Sequence, residues 1–169
     1  AGVAVLESQT GKILAIGNGR NVNSRSQGQA RQYNYATQIK RQPGSSAKPL
    51  FDYGPGIEYN NWSTYGMFDD SPYTYSNGRS IRNWDGGYFG NITMRRALST
   101  SRNIPALKAF QRVDNEKIKE FVLNLGLTPE VCASGYKYDR ANNNCVNKED
   151  KNDTQATIAL HEAHSIGAF

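Results

Sequence analysis

The sequence Arg-Gln-Pro-Gly-Ser-Ser-Ala-Lys-Pro-Leu, residues 41–50, places a hydroxyl and an amine three residues apart, at Ser45 and Lys48. A helix is predicted to begin near Gly44, and residues at i and i+3 share one face of a helix. We therefore expect the Lys48 amine to reach the Ser45 hydroxyl, which pairs a nucleophile with a candidate base. Burial and the positive N-terminal end of a helix both disfavour the ammonium form of a lysine, so Lys48 is expected to be able to deprotonate Ser45.

The flanking residues fit a rigid turn that leads into this helix. Pro43 fixes its own φ, Gly44 permits unusual backbone angles, and Pro49 is tolerated only near the first helical turn. Because the first amides of a helix have no internal partner, the N–H of Ser45 is available to a developing oxyanion. The helix is predicted to run to about Tyr59.

Ser-x-x-Lys alone is a weak pattern, since the segment that begins at Ser134 matches it too. A second polar motif lies further along, where Ser101 and Asn103 fall in a turn between two predicted helices, 92–98 and 104–110. Such a turn presents both side chains to solvent or to a cleft. Ser-x-Asn is also uninformative by itself, and the two motifs gain weight from occurring together.

The chain before the first motif predicts a β-hairpin. Val-Ala-Val-Leu at 3–6 and Ile-Leu-Ala-Ile at 13–16 are short apolar runs, separated by a polar stretch that contains a glycine. Residues 17–38 carry almost no large aliphatic side chain and predict an extended surface loop.

Residues 60–90 show no lasting helical or strand period and predict a long loop. Its aromatic rings offer flat surfaces for a peptide or sugar chain, although packing of each ring onto the core is the commoner arrangement. The residues concerned are Trp62, Tyr65, Tyr73, Tyr75, Trp84, Tyr88 and Phe89.

The chain of 169 residues is long enough for one domain with a real core, and a hydrophobic content of 37% indicates a folded protein. The net charge of +5 comes from basic residues that are interleaved with 15 acidic ones, so we expect no nucleic-acid partner. No apolar run is long enough to span a bilayer, and the N-terminal residues lack the charged region of a signal peptide. We expect the chain to be part of a longer protein.

Two cysteines, Cys132 and Cys145, flank a polar loop. A disulfide would staple this loop and fit an extracytoplasmic location, but two cysteines in a chain of this size are as often free thiols, so both alternatives stay open. With His161 and His164 they suggest a zinc site of a metal hydrolase. His-Glu-Ala-His is one residue shorter than the zincin motif, which favours two histidines on a solvated helix face, with no metal and no cofactor.

Together with their flanks, the two motifs resemble the transpeptidase domain of class A penicillin-binding proteins, within the β-lactamase-like superfamily of serine acyltransferases. The resemblance rests on residues 41–49, on the hairpin before them, and on Asn-Ile-Thr-Met-Arg-Arg-Ala-Leu-Ser-Thr-Ser-Arg-Asn-Ile-Pro-Ala at 91–106. Gly-Arg at 19–20 and Asn-Trp-Asp-Gly-Gly-Tyr at 83–88 also resemble family sequence. The resemblance is clear over residues 1–110 and implies an α/β (α+β) fold, a central antiparallel sheet flanked by helices.

By this resemblance, Ser45 is the acyl-accepting nucleophile and Lys48 its hydrogen-bonded partner. Ser101 relays protons between the lysine and the leaving group, Asn103 hydrogen-bonds the substrate backbone, and Trp84 is a further candidate for substrate binding. The implied protein is a peptidoglycan D,D-transpeptidase that cross-links stem peptides and is inhibited by β-lactam antibiotics. Its implied location is the extracytoplasmic face of the bacterial membrane, anchored by parts outside this chain. A sensor or scaffold that binds β-lactams without turnover is the alternative, and a zinc hydrolase is a weaker one.

Two departures from the family pattern carry expectations of their own. Ser46 and Ala47 stand where members usually have Thr and Phe or similar residues, so the packing of the cleft and the affinity for β-lactams are expected to differ. The third motif of the family, Lys-Thr/Ser-Gly on an inner strand, is absent from the sequence. We therefore expect residues 1–169 to be the N-terminal part of one transpeptidase domain that continues after Phe169. Alone, they are expected to be nearly inactive and poorly folded.

Overall fold

A computed structural model describes residues 2–18, 34–39, 41–127, 132, 135–139, 142, 144–155 and 160–168. The chain forms two compact units, Ala1–Arg41 and Gln42–Phe169. Both predicted motifs belong to the second unit.

The first unit contains the predicted hairpin. β1 (Gly2–Leu6) and β2 (Ile13–Asn18) pair antiparallel, and Gly11 adopts a φ of 70° between them, which favours glycine. Six apolar side chains of the hairpin are 43–63% exposed, namely Val3, Val5, Leu6, Ile13, Leu14 and Ile16. The hairpin prediction is confirmed, whereas most of the predicted loop at 17–38 lies outside the described residues.

The second unit begins with a helical segment that changes its winding twice. A 3₁₀ turn (Gly44–Ala47) is followed by a π-helical turn (Pro49–Tyr53) and then by α1 (Gly54–Asn60). A proline has no N–H and its ring crowds the carbonyl four residues earlier, so a regular α-helix cannot run through residue 49. The helix prediction is confirmed in its extent but not in its regularity.

The end of this segment follows from Asn61. This residue adopts a left-handed conformation, with a φ of 53°, and its N–H donates to the carbonyl of Gly56. Asparagine is one of the few residues besides glycine that enter this conformation readily, so the predicted stop at the asparagine pair is confirmed.

The segment predicted as one long loop contains short strands, so that prediction was wrong in part. β3 (Met67–Asp70) pairs antiparallel with β6 (Gly90–Thr93), and β4 (Tyr73–Thr74) pairs with β5 (Ser80–Ile81). Strands of two to four residues leave no measurable period, which is why the sequence pattern did not reveal them.

Two helices bracket the second motif. α2 (Met94–Ser99) starts two residues later than predicted, because Ile92 and Thr93 belong to β6, and the Thr93 side chain caps it by accepting from the Arg96 N–H at 3.2 Å. α3 (Asn103–Arg112) confirms the prediction of a second helix that restarts at the proline. α4 (Asn115–Asn124) follows, capped by Asp114.

α3 organises the core of the second unit. The buried apolar side chains fall into three clusters, and α3 contributes to each of them, through Phe110, through Ala106 and Ala109, and through Ile104 and Leu107. The second motif sits at the N-terminal end of this central helix, so its backbone is attached to the best packed element of the unit.

The last part of the chain forms a three-stranded antiparallel sheet and a 3₁₀ helix. β7 (Tyr136–Asp139), β8 (Asn144–Asn147) and β9 (Thr154–Gln155) pair in that order, and the 3₁₀ helix covers Glu162–Ile166. A disulfide joins Cys132 to Cys145, which decides between the two alternatives for the cysteines.

The architecture is a mixed one of helices and antiparallel strands, as predicted. The described strands form four small sheets, of two, two, two and three strands. Within the described ranges, no helix is long and apolar enough to cross a membrane.

Candidate active site

Ser45 lies in a turn that is fixed from two sides. Gly44 adopts a φ of 57°, which favours glycine, and the hydroxyl of Ser46 donates back to the carbonyl of Pro43 at 2.7 Å. The Gly44 N–H donates to the carbonyl of Gly167 at 3.2 Å, and the two backbones are so close that any Cβ on Gly167 would collide with Gly44. The turn leaves the Ser45 side chain exposed, as a nucleophile requires.

Lys48 is fully buried and reaches across to the second motif. Its ammonium donates to the carbonyl and the hydroxyl of Ser101, at 2.7 and 3.1 Å, and to Oδ1 of Asn103 at 2.7 Å. The structure therefore brings together three of the residues predicted from separate motifs.

The predicted contact between Lys48 and Ser45 is not a hydrogen bond here. Among the described residues, the amine bonds only to oxygens of the second motif, and these three acceptors use all the donors that an ammonium has. Ser45 is only three residues from Lys48 in the sequence, but the Lys48 amine is held by residues more than 50 positions away.

Burial lowers the pKa of Lys48 to about 8, with the charge of Asp52 raising it and the charge of Arg102 lowering it further. A lysine in water keeps its proton up to a pKa of about 10.4. Roughly a tenth of the lysine is therefore neutral at pH 7, compared with a negligible share of an ordinary lysine. This is the direction that a general base requires.

Ser101 closes α2 in a conformation that glycine usually takes. Its φ is 53°, its N–H donates to the carbonyl of Leu98 at 3.0 Å, and the N–H of Arg102 donates to that of Ala97 at 2.9 Å. This pair of bonds is the Schellman motif, in which the left-handed residue is normally glycine. Serine at this position has a strained left-handed backbone, but it supplies a hydroxyl that accepts from Lys48.

Asn103 is the first residue of α3 and is bonded through both ends of its amide group. Oδ1 accepts from Lys48, and Nδ2 donates to the carbonyl of Arg82 at 2.8 Å. Its backbone N–H donates to Oδ1 of Asn83 at 2.8 Å. The residue therefore joins the lysine to the loop at 82–89.

Trp84, the candidate for substrate binding, lies beside the second motif. Its ring is 75% exposed, and its indole N–H donates to the carbonyl of Thr100 at 3.2 Å, one residue before Ser101. A large exposed ring held in one orientation offers a contact surface at low cost in side-chain entropy.

The sequence did not reveal the buried charges beneath these residues. Arg102 and Asp70 are fully buried and form an ion pair at 2.7 Å. Asp52 is also fully buried, and among the described residues its carboxylate oxygens have no hydrogen-bond partner. Burial raises the pKa of Asp52, although the charge of Lys48 opposes this. No local pattern marks an ion pair between residues 32 positions apart, so the only hint was an arginine inside the Ser-x-Asn motif.

The zinc alternative is corrected by the disulfide. It needed Cys132 and Cys145 as ligands together with His161 and His164, but the two cysteines are bonded to each other. The ring of His164 is buried, and its Nδ1 lies 3.1 Å from the backbone N–H of His161. In the part of the chain that the structure describes, no three His, Cys, Asp or Glu residues are grouped as metal ligands.

Comparisons with known proteins agree on one family. Residues 1–157 match the family model of the penicillin-binding protein transpeptidase domain. Penicillin-binding protein 1A/1B of Bacillus subtilis is 52% identical over 137 residues, which cover 80% of this chain and 14% of that protein. Penicillin-binding protein 1A of Streptococcus oralis is 42% identical over 96 residues, covering 56% and 15%. The chain thus spans about a seventh of the curated relatives it matches.

Solved structures show the same fold. Penicillin-binding protein 1A from Haemophilus influenzae superposes with a TM-score of 0.58 at 24% identity, over 80% of this chain and 17% of that one. The penicillin-binding protein PonA1 from Mycobacterium tuberculosis gives a TM-score of 0.56 at 19% identity, over 82% and 32%. The chain therefore belongs to the penicillin-binding protein transpeptidase domain family.

Proposed function

We propose that the protein is a serine D,D-transpeptidase that cross-links peptidoglycan stem peptides through an acyl-enzyme on Ser45. The observation that carries this proposal is the buried Lys48, whose pKa is lowered and whose amine bonds to Ser101 and Asn103 of the second motif. Family membership supports the reaction class.

In the proposed reaction, Oγ of Ser45 attacks the carbonyl carbon between the two terminal D-alanines while its proton passes to the neutral amine of Lys48. The N–H of Ser45 stabilises the oxyanion of the tetrahedral intermediate. When the C–N bond breaks, the proton returns through the hydroxyl of Ser101 to the leaving D-alanine. The amine of a second stem peptide then attacks the ester and releases Ser45, which completes the cross-link.

Two further residues have proposed roles in substrate binding. Asn103 turns its amide toward the substrate backbone, exchanging part of its present hydrogen bonds for new ones. Trp84 forms a wall of the cleft, and its exposed ring and its bond to Thr100 support this role.

The proposed surroundings are those of cell-wall synthesis. The substrates are stem peptides, the inhibitors are β-lactams, and the proposed location is the extracytoplasmic side of the bacterial membrane. The disulfide between Cys132 and Cys145 supports an oxidising compartment, because such bonds rarely persist in the cytosol.

The test is intact-mass spectrometry of the full-length protein with penicillin. We expect one adduct of the mass of penicillin, located on Ser45 by peptide mapping and absent from Ser45→Ala. An unmodified wild-type protein, or an adduct that survives the substitution, contradicts the proposal. Release of D-alanine from a pentapeptide separates a transpeptidase from a sensor, which forms the adduct and releases nothing.

A further inference from the structure

Arg102, the middle residue of the Ser-x-Asn motif, is fully buried and makes a fork of bonds. Its Nε pairs with Oδ2 of Asp70 at 2.7 Å, its Nη1 pairs with Oδ2 of Asp85 at 2.8 Å, and its Nη2 donates to the carbonyl of Gly87. The guanidinium also stacks on the ring of Phe89, with its carbon 4.0 Å from the ring centroid. All of these partners come from β3 and from the loop at 85–89.

The same assembly holds the other end of the motif. Oδ1 of Asp70 accepts from Nδ2 of Asn83 at 2.7 Å, and Oδ1 of Asn83 accepts from the backbone N–H of Asn103 at 2.8 Å. Asp70 therefore has one oxygen on Arg102 and the other on the residue that orients Asn103. The motif is therefore anchored at the side chain of Arg102 and at the backbone of Asn103.

This anchoring explains how a strained serine is maintained. A left-handed non-glycine residue costs roughly 1–2 kcal/mol and persists only where the surroundings fix the backbone. Ser101 is the residue before Arg102, so the buried guanidinium determines how the chain leaves the left-handed position. That exit direction turns both oxygens of Ser101 onto Lys48.

We propose that Arg102, held by Asp70, is a positioning residue for acylation, and this rests on the function proposed above. Its guanidinium is fully buried, and among the described residues its polar contacts are with Asp70, Asp85 and Gly87 and not with Ser45. It keeps Ser101 and Asn103 at hydrogen-bonding distance from the Lys48 amine, and without it the acceptors move away from the base. A displacement of about 1 Å among reacting groups costs roughly 10²-fold in rate.

A matched pair of substitutions on β3 tests this. Asp69 and Asp70 are neighbours and each forms an ion pair, but Asp69 pairs with Lys108 at 2.7 Å, away from the motif. We expect Asp70→Asn to lower the second-order rate constant of acylation by penicillin roughly 10²-fold. Asp69→Asn, which makes the same chemical change, is expected to leave it unchanged.

The pH profile separates positioning from damage to the fold. The oxygen acceptors favour the ammonium form of Lys48, so their loss lowers its pKa and moves the acid limb of the acylation profile to lower pH. The charges that act on this amine are Asp52 on its own helical segment and Arg102 from the motif. Arg102→Lys keeps the positive charge but cannot make the three guanidinium bonds. It should therefore also move the acid limb of the acylation profile to lower pH, whereas a purely electrostatic role of Arg102 predicts an unchanged profile.

Each outcome decides the inference. It is supported by a slower rate with a shifted limb in Asp70→Asn and Arg102→Lys. It is overturned if both acylate like Asp69→Asn, or if only the labelled fraction falls while the rate and profile stay as in the wild type.

Should Asp70→Asn fail to fold, Asp85→Asn is the milder variant, since its side chain is 28% exposed. A smaller loss in the same direction then supports the inference, and an unchanged profile overturns it. The proposed function is tested apart from this by the wild-type adduct on Ser45.

Discussion

Lys48 is anchored by the second motif and is also the residue that we propose as the base for Ser45. As an ammonium it is fixed by three oxygens of the second motif, and burial lowers its pKa to about 8, so it remains close to losing a proton. Loss of that proton leaves the amine with two N–H donors and one lone pair that can accept a hydrogen bond. We expect the hydroxyl of Ser45, which lies three residues away along the turn, to donate to this lone pair.

We predict that Lys48→Arg abolishes acylation although it keeps the positive charge. An arginine has a pKa above about 12 and cannot accept the Ser45 proton. The rate of penicillin labelling should fall at least 10²-fold, while the wild-type rate should rise as the pH passes through about 8, where the ammonium deprotonates.

Lys108→Arg is the matched control for this prediction. Lys108 lies on α3, is ion-paired with Asp69, and has no bond to either motif. Its replacement should leave the rate and its pH dependence unaltered. If Lys48→Arg labelled as fast as Lys108→Arg, Lys48 would act only through its charge.

The pair Ser45 and Lys48 could be predicted from the sequence because it is local. Three residues of spacing and a proline-glycine turn define where the two residues lie, whereas the hydrogen bond expected between their side chains is not formed in the structure. Arg102 and Asp70 could not be predicted in this way, since their contact depends on how β3 packs beside the end of α2. The burial of Asp52 could not be predicted either, because it is set by tertiary packing.

At the scale of elements, the end of α2 does more than terminate a helix. Its Schellman motif carries serine in the left-handed position, so one residue ends the helix and also supplies the hydroxyl that we propose as a proton relay. The positions of α2 and α3 were predicted to within a few residues, but the left-handed residue between them was not, because that signal is normally glycine.

We predict that Ser101→Gly is more stable than Ser101→Ala by about 1 kcal/mol, although both acylate slowly. The two variants lack the same hydroxyl and differ in a Cβ at a φ of 53°. Urea unfolding of the full-length protein measures the difference, and penicillin labelling measures the shared loss. Equal stabilities would mean that the left-handed conformation costs nothing here.

The irregular first helix is a further element that only the structure shows. A helix was expected from Gly44 to about Tyr59, and the chain is helical over this range, but Pro49 divides it into 3₁₀, π and α windings. Pro49 is compatible with a first helical turn, and in the structure the hydrogen-bond spacing changes to a π-helical one from this residue onward.

At the scale of the whole molecule, the two units differ in how well they are buried. α3 contributes to every core cluster of the second unit, whereas the apolar side chains of the hairpin are half exposed. A two-stranded hairpin with few buried contacts is marginal in water. The hairpin was predictable from its alternating runs, but its exposure was not, because exposure depends on what packs against it.

Residues 1–169 studied alone are expected to be poorly folded, and we predict that the amide protection that persists in them lies in α3 and not in residues 2–18. Local opening of a poorly buried hairpin costs little, while opening of a central helix approaches the cost of global unfolding. Hydrogen exchange followed by mass spectrometry measures both in one sample. Protection of the hairpin equal to that of α3 would contradict this expectation.

The buried pair of Arg102 and Asp70 also limits how the family motif can change over time. Breaking a buried ion pair by removing one partner costs about 3–5 kcal/mol. Asp85 also pairs with Arg102 and reduces this loss when Asp70 alone is replaced, but a net loss of stability is still expected. Among relatives, arginine at position 102 and a carboxylate at position 70 should therefore be gained and lost together, although 32 residues separate them. The residue at the x position of Ser-x-Asn should then vary only together with the residue at position 70.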